Sequence, residues 1–150
     1  MPNIDEATFR SFLLAAIKAA DPEMGCQTEW NHFDLLLQQR QPDCNAVVEL
    51  KFYVYRRTRE LDGSWGNWKG GAGPKNEGEM KECIRKVHNL QMPGIHSKFL
   101  VLVYEMVCER KSTYSFRASY SDLVPDGVIR VVKPVVHGCD GLSCTLLEIA

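Results

Sequence analysis

The sequence predicts a single mixed α/β (α+β) domain in which helices flank a mixed central sheet. Three observations predict this class: residues 4–20 have helical apolar periodicity, Ala46–Arg57 alternates apolar and polar side chains, and Lys98–Met106 is apolar on both faces. A strand that is apolar on both faces is typical of the buried centre of a sheet. A chain of 150 residues is long enough to form one such core.

The composition is that of an ordinary globular protein, with 45% hydrophobic and 25% charged residues. The apolar runs are too short to span a bilayer and the N-terminus lacks the basic start of a secretory signal, so we expect a cytoplasmic protein with no membrane partner. The net charge of −1 gives no global indication of nucleic-acid binding. The six cysteines form no Cys-x-x-Cys pair, which predicts reduced thiols rather than a zinc ribbon.

The first half of the chain predicts one helix and three strands. The helix over residues 4–20 is capped by Asn3 or Asp5 and ends at Asp21-Pro22. Its apolar stripe consists of Phe9, Phe12, Leu13, Ala16 and Ile17. Strands are expected near Cys26–Trp30, at Phe33–Gln38 and at Ala46–Arg57, with a turn over Gln39–Asn45.

The second half predicts a crossover and a β-rich extension. A Gly-rich loop over residues 58–77 leads to a helix at Gly78–Gln91, which Pro93-Gly94 ends before the buried strand. Strand, helix and strand in this order indicate a crossover unit. The core is therefore expected over residues 4–106. The extension over residues 107–150 is expected to add strands, at Thr113–Tyr120, Val128–Val136 and Cys144–Ile149, the last two as a hairpin.

Glu49 and Lys51 are unlike charges on one face of the Ala46–Arg57 strand. If this strand forms a hairpin with Phe33–Gln38, the apolar odd positions of the first strand must lie opposite the apolar even positions of the second, because opposed residues point the same way. That parity places Asp34 across from Glu49 or Lys51. A slip of one residue would turn a hydrophobic set to the wrong side, so the register is well determined.

Two converging carboxylates repel each other unless a cation lies between them. Oxygen ligands with open positions suit Mg²⁺ or Mn²⁺, so Asp34 and Glu49 are expected to bind one of these ions. The ion would polarise a phosphodiester and activate a water, while Lys51 steadies or deprotonates that water or offsets transition-state charge. The constellation predicts phosphodiester hydrolysis.

The order of helix, meander with Asp34, strand with Glu49-Leu50-Lys51, helix and strand resembles the PD-(D/E)XK, or restriction-endonuclease-like, nuclease superfamily. The resemblance covers about residues 4–106 and implies that Asp34 and Glu49 are metal ligands and that Lys51 is the catalytic lysine. It implies nucleic acid, and DNA in particular, as the substrate. The literal Pro42-Asp43 pair lies in the turn, out of reach of Glu49, and Phe33 rather than proline precedes Asp34.

Further residues are candidates for the same site. Glu6 and Glu29 are candidates for an additional acidic ligand, and His32 shares the face of Asp34. The candidates for substrate contacts are Tyr53, Arg57, Trp65, Trp68 and Lys69. Basic residues that would follow a phosphate backbone also include Arg56, Arg59, Lys75, Lys81, Arg85 and Lys86.

Two alternatives remain open at this stage. The charged pair Glu49 and Lys51 is also compatible with a solvated strand face. A catalytically inactive module of the same fold, which binds a protein partner or nucleic acid, is the alternative function. The oligomeric state is not determined by the sequence.

Overall fold

A computed structural model describes residues 5–39, 44–54, 59–67, 73–105, 127–137 and 142–150. The elements in chain order are α1 (Glu6–Ala20), β1 (Gly25–Trp30), β2 (Phe33–Gln38), β3 (Asn45–Tyr53), α2 (Pro74–His88), β4 (Ile95–Glu105), β5 (Ile129–His137) and β6 (Leu142–Ile149). The predicted mixed α/β class, with a mixed sheet and two helices, is confirmed. The strand predicted at Thr113–Tyr120 lies outside the described residues.

The described strands form one six-stranded sheet in the order β1-β2-β3-β4-β6-β5. Strands β3 and β4 are parallel, with α2 between them in the chain, as expected of a crossover. The other neighbouring pairs are antiparallel, including the predicted hairpin of β5 and β6. The two last strands therefore extend the sheet beyond β4 rather than forming a separate layer.

Two apolar clusters cover the two faces of the sheet. On one face α1 packs through Phe9, Leu13 and Leu14 against a cluster that contains Leu35, Val48 and Leu50. On the other face α2 packs through Met80, Cys83, Ile84 and Val87 against a cluster that contains Leu36, Val47 and Tyr53. Strand β3 is therefore buried on both faces, although its alternating pattern is typical of a half-buried strand, and that prediction from the pattern is wrong. Phe33 also departs from the pattern, because it joins the cluster on the α2 side.

Helix α1 has the expected ends. Asp5 is the N-cap, and its carboxylate accepts the backbone N–H of Thr8 at 2.8 Å. Asp21 is the C-cap and donates its backbone N–H to Ile17. An aspartate at the N-cap pairs with a donor that the first helical turn would otherwise leave without a partner.

Helix α2 begins at Pro74, four residues before the predicted start at Gly78. Proline suits the first turn of a helix because its fixed φ is helical and its missing N–H is not needed there. Gly78 is tolerated inside the helix, where no heavy atom lies within 4 Å of the place that a Cβ would take. Because of the glycines around the helix start, the sequence predicted that the loop continues to residue 77, and this boundary was wrong.

A two-residue turn joins β1 to β2, because Trp30 pairs directly with Phe33. Its residues Asn31 and His32 have φ angles of 47° and 66°. Two consecutive positive φ angles are typical of the turn type that matches the twist of an antiparallel hairpin. This turn brings the backbone of His32 to helix α2, where Lys86 donates a hydrogen bond to its carbonyl oxygen.

Candidate functional site

The register of β2 and β3 places Asp34 beside the Glu49-Leu50-Lys51 segment. Leu35 pairs with Val48 and Leu36 with Val47, so the parity predicted from the apolar positions is confirmed. Asp34 Oδ2 accepts the backbone N–H of Leu50 at 2.7 Å. The aspartate carboxylate is thus fixed to the residue that lies between the glutamate and the lysine.

Glu49 is a buried carboxylate with two lysine partners. The residue is only 6% exposed, although the alternating sequence of its strand is typical of a strand with one face in solvent. Lys86 Nζ lies 3.1 Å from each of its carboxylate oxygens, and Lys51 Nζ lies 3.7 Å from Oε1. A carboxylate this buried is costly without such partners, so the interpretation as a solvated strand face is wrong.

Lys86 is the main site residue that the sequence did not single out. The sequence placed it only among the basic residues that would follow a phosphate backbone. Its ammonium contacts both oxygens of Glu49 and the carbonyl of His32, and it lies 4.3 Å from the centroid of the Phe33 ring. An ammonium over an aromatic face is held by the negative charge density of the ring. The signal that points to Lys86 is its position three residues after Cys83, beside the apolar stripe of α2.

Asp34 has a second partner on helix α1. Arg10 Nη1 lies 3.2 Å from Asp34 Oδ1, and Arg10 Nη2 lies 3.3 Å from Glu29 Oε1. No sequence pattern singled out Arg10, although it lies on the inward side of α1, three and four residues before Leu13 and Leu14, and its side chain is only 22% exposed. Glu29 itself is mostly exposed and has a φ angle of 53°, which is uncommon for a residue other than glycine.

Glu6 belongs electrostatically to the same region. Burial raises the pKa of Glu6, and the charge of Asp34 raises this pKa further, while Lys51 and Arg10 act in the opposite direction. Because Asp34, Lys51 and Glu49 all act on the pKa of Glu6, the first turn of α1 faces the same charged region. Glu6 is nevertheless an exposed helix residue, the commoner situation for such a glutamate, and its role as a further acidic ligand stays a candidate.

Lys51 and Cys83 lie close enough to act on each other's pKa. Burial alone would lower the pKa of Lys51, but the neighbouring Cys83, Glu49, Glu6 and Asp34 raise it, and the net direction is upward. Burial raises the pKa of Cys83 to about 12, although Lys51 opposes the change. The net upward direction favours the charged form of Lys51, and burial favours the neutral thiol of Cys83.

A shallow cleft of about 690 Å³ opens above these residues. Its lining consists of Glu49, Lys51, Gly78, Glu79, Glu82, Cys83 and Lys86. Asp34 does not line it, because its carboxylate turns toward Leu50 and Arg10. The structure thus brings Glu49 and Lys51 together in the cleft and joins Asp34 to them through the backbone of β3.

The candidate substrate contacts have different positions. Tyr53 is buried and donates its hydroxyl to the carbonyl of Asn76 in α2, an arrangement that does not support a substrate contact. Trp65 is 56% exposed, and pairs with Arg59 in a short β-bridge. His32 is an exposed turn residue. Arg57, Trp68 and Lys69 lie outside the described residues.

The donor chemistry of Asp34 and Glu49 fits a hard cation such as Mg²⁺ or Mn²⁺, because both side chains offer carboxylate oxygens. The position of the Lys86 ammonium against Glu49 indicates that a cation is accommodated there. The hydrogen bonds from Leu50 and Arg10 occupy one acceptor site on each Asp34 oxygen and leave further lone pairs. Within the described ranges, no three His, Cys, Asp or Glu side chains are already arranged around one ion position.

None of the described helices has the length and apolar character needed to cross a membrane. Comparisons of the chain with protein-family models, with curated proteins and with solved structures found no match. The functional argument therefore depends on the residues of the site and on the order of the elements that carry them.

Proposed function

We propose that this chain is a small metal-dependent nuclease with a restriction-endonuclease-like core, acting in the cytoplasm on nucleic acid, with DNA as the expected substrate. The support from the fold is the order of its elements. Helix α1, the meander β1-β2-β3, helix α2 and strand β4 follow one another as the resemblance requires, and strand β3 carries Glu49 and Lys51.

The observation that carries the proposal is the hydrogen bond of 2.7 Å from the Leu50 amide to Asp34. It holds an acidic residue from another strand against the segment that contains both Glu49 and Lys51. The salt bridge between Lys51 and Glu49 adds a second carboxylate and an ammonium, a combination that would suit metal-dependent phosphodiester hydrolysis.

Asp34 and Glu49 would hold Mg²⁺ or Mn²⁺, with Glu6 nearby as a further acidic residue. A bound ion would polarise the phosphodiester and lower the pKa of the attacking water. Lys51 would steady or deprotonate that water, or offset the charge that develops on the phosphate oxygens. Among the aromatic candidates for substrate contacts that the structure describes, the exposed Trp65 is the one that can border a substrate.

Replacing single charges tests this assignment. Asp34→Asn keeps an acceptor for the Leu50 amide but loses the negative charge, and Lys51→Met keeps the length of the side chain but loses the ammonium. We expect each change to reduce Mg²⁺- or Mn²⁺-dependent cleavage of plasmid and single-stranded DNA by at least about a hundredfold. Circular dichroism should show that both variants fold.

Lys18→Met is the matched control, since Lys18 lies near the end of α1 and contacts the backbone of Met24. It should cleave DNA at the rate of the unmodified chain. Full metal-dependent cleavage by Asp34→Asn or Lys51→Met would overturn the proposed roles.

A second candidate function is a catalytically inactive module of the same fold that binds a protein partner or nucleic acid. The observation that favours it is the charge balance of the site, because Glu49 already has two lysine partners and Asp34 already has Arg10. A site balanced in this way has no requirement for a metal ion. Calorimetry with Mn²⁺ discriminates the two: heat of binding that disappears in Asp34→Asn supports the nuclease, and its absence supports the module.

A further inference from the structure

Lys86 holds Glu49 from the opposite wall of the cleft. The ammonium of Lys86 lies at the same distance, 3.1 Å, from both oxygens of Glu49, whereas Lys51 approaches one oxygen at 3.7 Å. Lys86 therefore makes the closer ion pair, although Lys51 is on the same strand as Glu49. The two lysines also belong to different elements, since Lys86 lies on α2 and Lys51 on β3.

The position of Lys86 is built by several elements. The carbonyl of His32, in the turn between β1 and β2, accepts a hydrogen bond from its ammonium, and the Phe33 ring lies 4.3 Å from it. The side chain remains 36% exposed at the cleft, so it has room to move toward solvent. A lysine with three defined partners and an open route outward can hold a carboxylate and also release it.

A lysine ammonium and a divalent cation are alternatives at one carboxylate. Both require the oxygens of Glu49, and two positive groups a few ångströms apart repel each other strongly in a partly buried site. Binding of an ion to Glu49 would therefore require Lys86 to move. Lys51 would repel a bound ion less strongly, because its ammonium lies farther from Glu49 and contacts only one of the two oxygens.

We propose that Lys86 is a displaceable counter-ion of Glu49, a positioning residue that keeps the carboxylate in place without metal and competes with the divalent cation for it. This inference depends on the proposed metal-dependent function. Lys86 would weaken metal binding, and it would neutralise the charge of Glu49 until an ion is present. The released ammonium would remain at the cleft, where nucleic-acid phosphate would enter.

The first test measures the affinity for Mn²⁺ by calorimetry in the full chain. Lys86→Met should bind Mn²⁺ at least about tenfold more tightly than the unmodified chain, because the competing charge is removed. Lys86→Gln should also bind Mn²⁺ more tightly, and it replaces Lys86→Met in the test if that variant does not fold. Lys86→Arg, which keeps the charge, should not gain affinity, and Lys18→Met controls for the loss of a distant charge.

The second test needs no variant. Mg²⁺ should increase the acetylation of the Lys86 amine by acetic anhydride, measured by mass spectrometry relative to Lys18, because the displaced amine moves into solvent. Unchanged labelling of Lys86 at a Mg²⁺ concentration that saturates the site would overturn the inference.

The outcomes separate the inference from the proposed function. Equal or weaker Mn²⁺ binding by folded Lys86→Met and Lys86→Gln, with Asp34-dependent binding retained in the unmodified chain, overturns the inference and leaves the proposed function standing. Binding in the Lys86 variants alone supports the inference in its strongest form. If neither the unmodified chain nor the Lys86 variants bind Mn²⁺ at millimolar concentration, the metal-dependent function fails and the inference fails with it.

Discussion

At the scale of single residues, burial decides what each charged side chain near the cleft can do. Glu49 is almost inaccessible to solvent, so its charge depends on Lys51 and Lys86 rather than on water. Asp34 is fixed by a backbone amide and a guanidinium. The sequence shows which charges are present but not how deeply they lie, because depth depends on which helices cover the sheet.

Cys83 provides a test of this burial. The residue is 5% exposed and burial raises the pKa of its thiol to about 12, so little of the reactive thiolate is present at pH 8. We expect iodoacetamide to leave Cys83 unmodified in the native protein and to alkylate the exposed Cys44. Mass spectrometry of the native and the guanidinium-denatured protein checks this. Alkylation of native Cys83 as fast as that of Cys44 would contradict the buried position.

At the scale of elements, two hairpin connections position the site. The register of β2 and β3 brings Asp34 to Leu50, and the turn between β1 and β2 gives Lys86 its backbone acceptor. The first of these followed from the alternation of apolar residues. The second did not, because the turn requires positive φ angles at Asn31 and His32, and histidine is a much weaker signal for such an angle than glycine.

His32→Gly tests the conformation of that turn. Glycine adopts positive φ without the steric cost that a Cβ imposes, and the change produces the Asn-Gly pair that two-residue hairpins favour. We expect the free energy of unfolding to rise by about 0.5–1 kcal/mol, or a few degrees in Tm, in thermal denaturation. His32→Ala is the control, since it removes the imidazole but keeps the Cβ. An equal gain in both variants would show that the ring, not the backbone, causes the strain.

At the scale of the whole molecule, charge limits how nucleic acid can bind. The net charge is −1, and the cleft as described contains two ammonium groups, both already paired with Glu49. Affinity for DNA should therefore come from few phosphate contacts. The near-neutral global charge counts mildly against nucleic-acid binding and so favours the non-catalytic module over the nuclease.

The salt dependence of binding measures the number of phosphate contacts. For Asp34→Asn and duplex DNA, we expect the logarithm of the binding constant to fall with the logarithm of salt concentration at a slope no steeper than about −3. Fluorescence anisotropy between 50 and 200 mM salt gives this slope. A slope steeper than about −6 would indicate an extended basic groove beyond the cleft.

The sequence by itself determined the class of fold, the two helices, six of the seven predicted strands and the side of β2 on which Asp34 meets β3. These features follow from periodicity and parity, which are local properties of the chain. Only the tertiary structure decided that β3 is buried on both faces, that Arg10 pairs with Asp34 and that Lys86 reaches Glu49. These contacts join residues 24 and 37 positions apart, and such pairs are set by how helices pack on a sheet rather than by any repeat in the sequence.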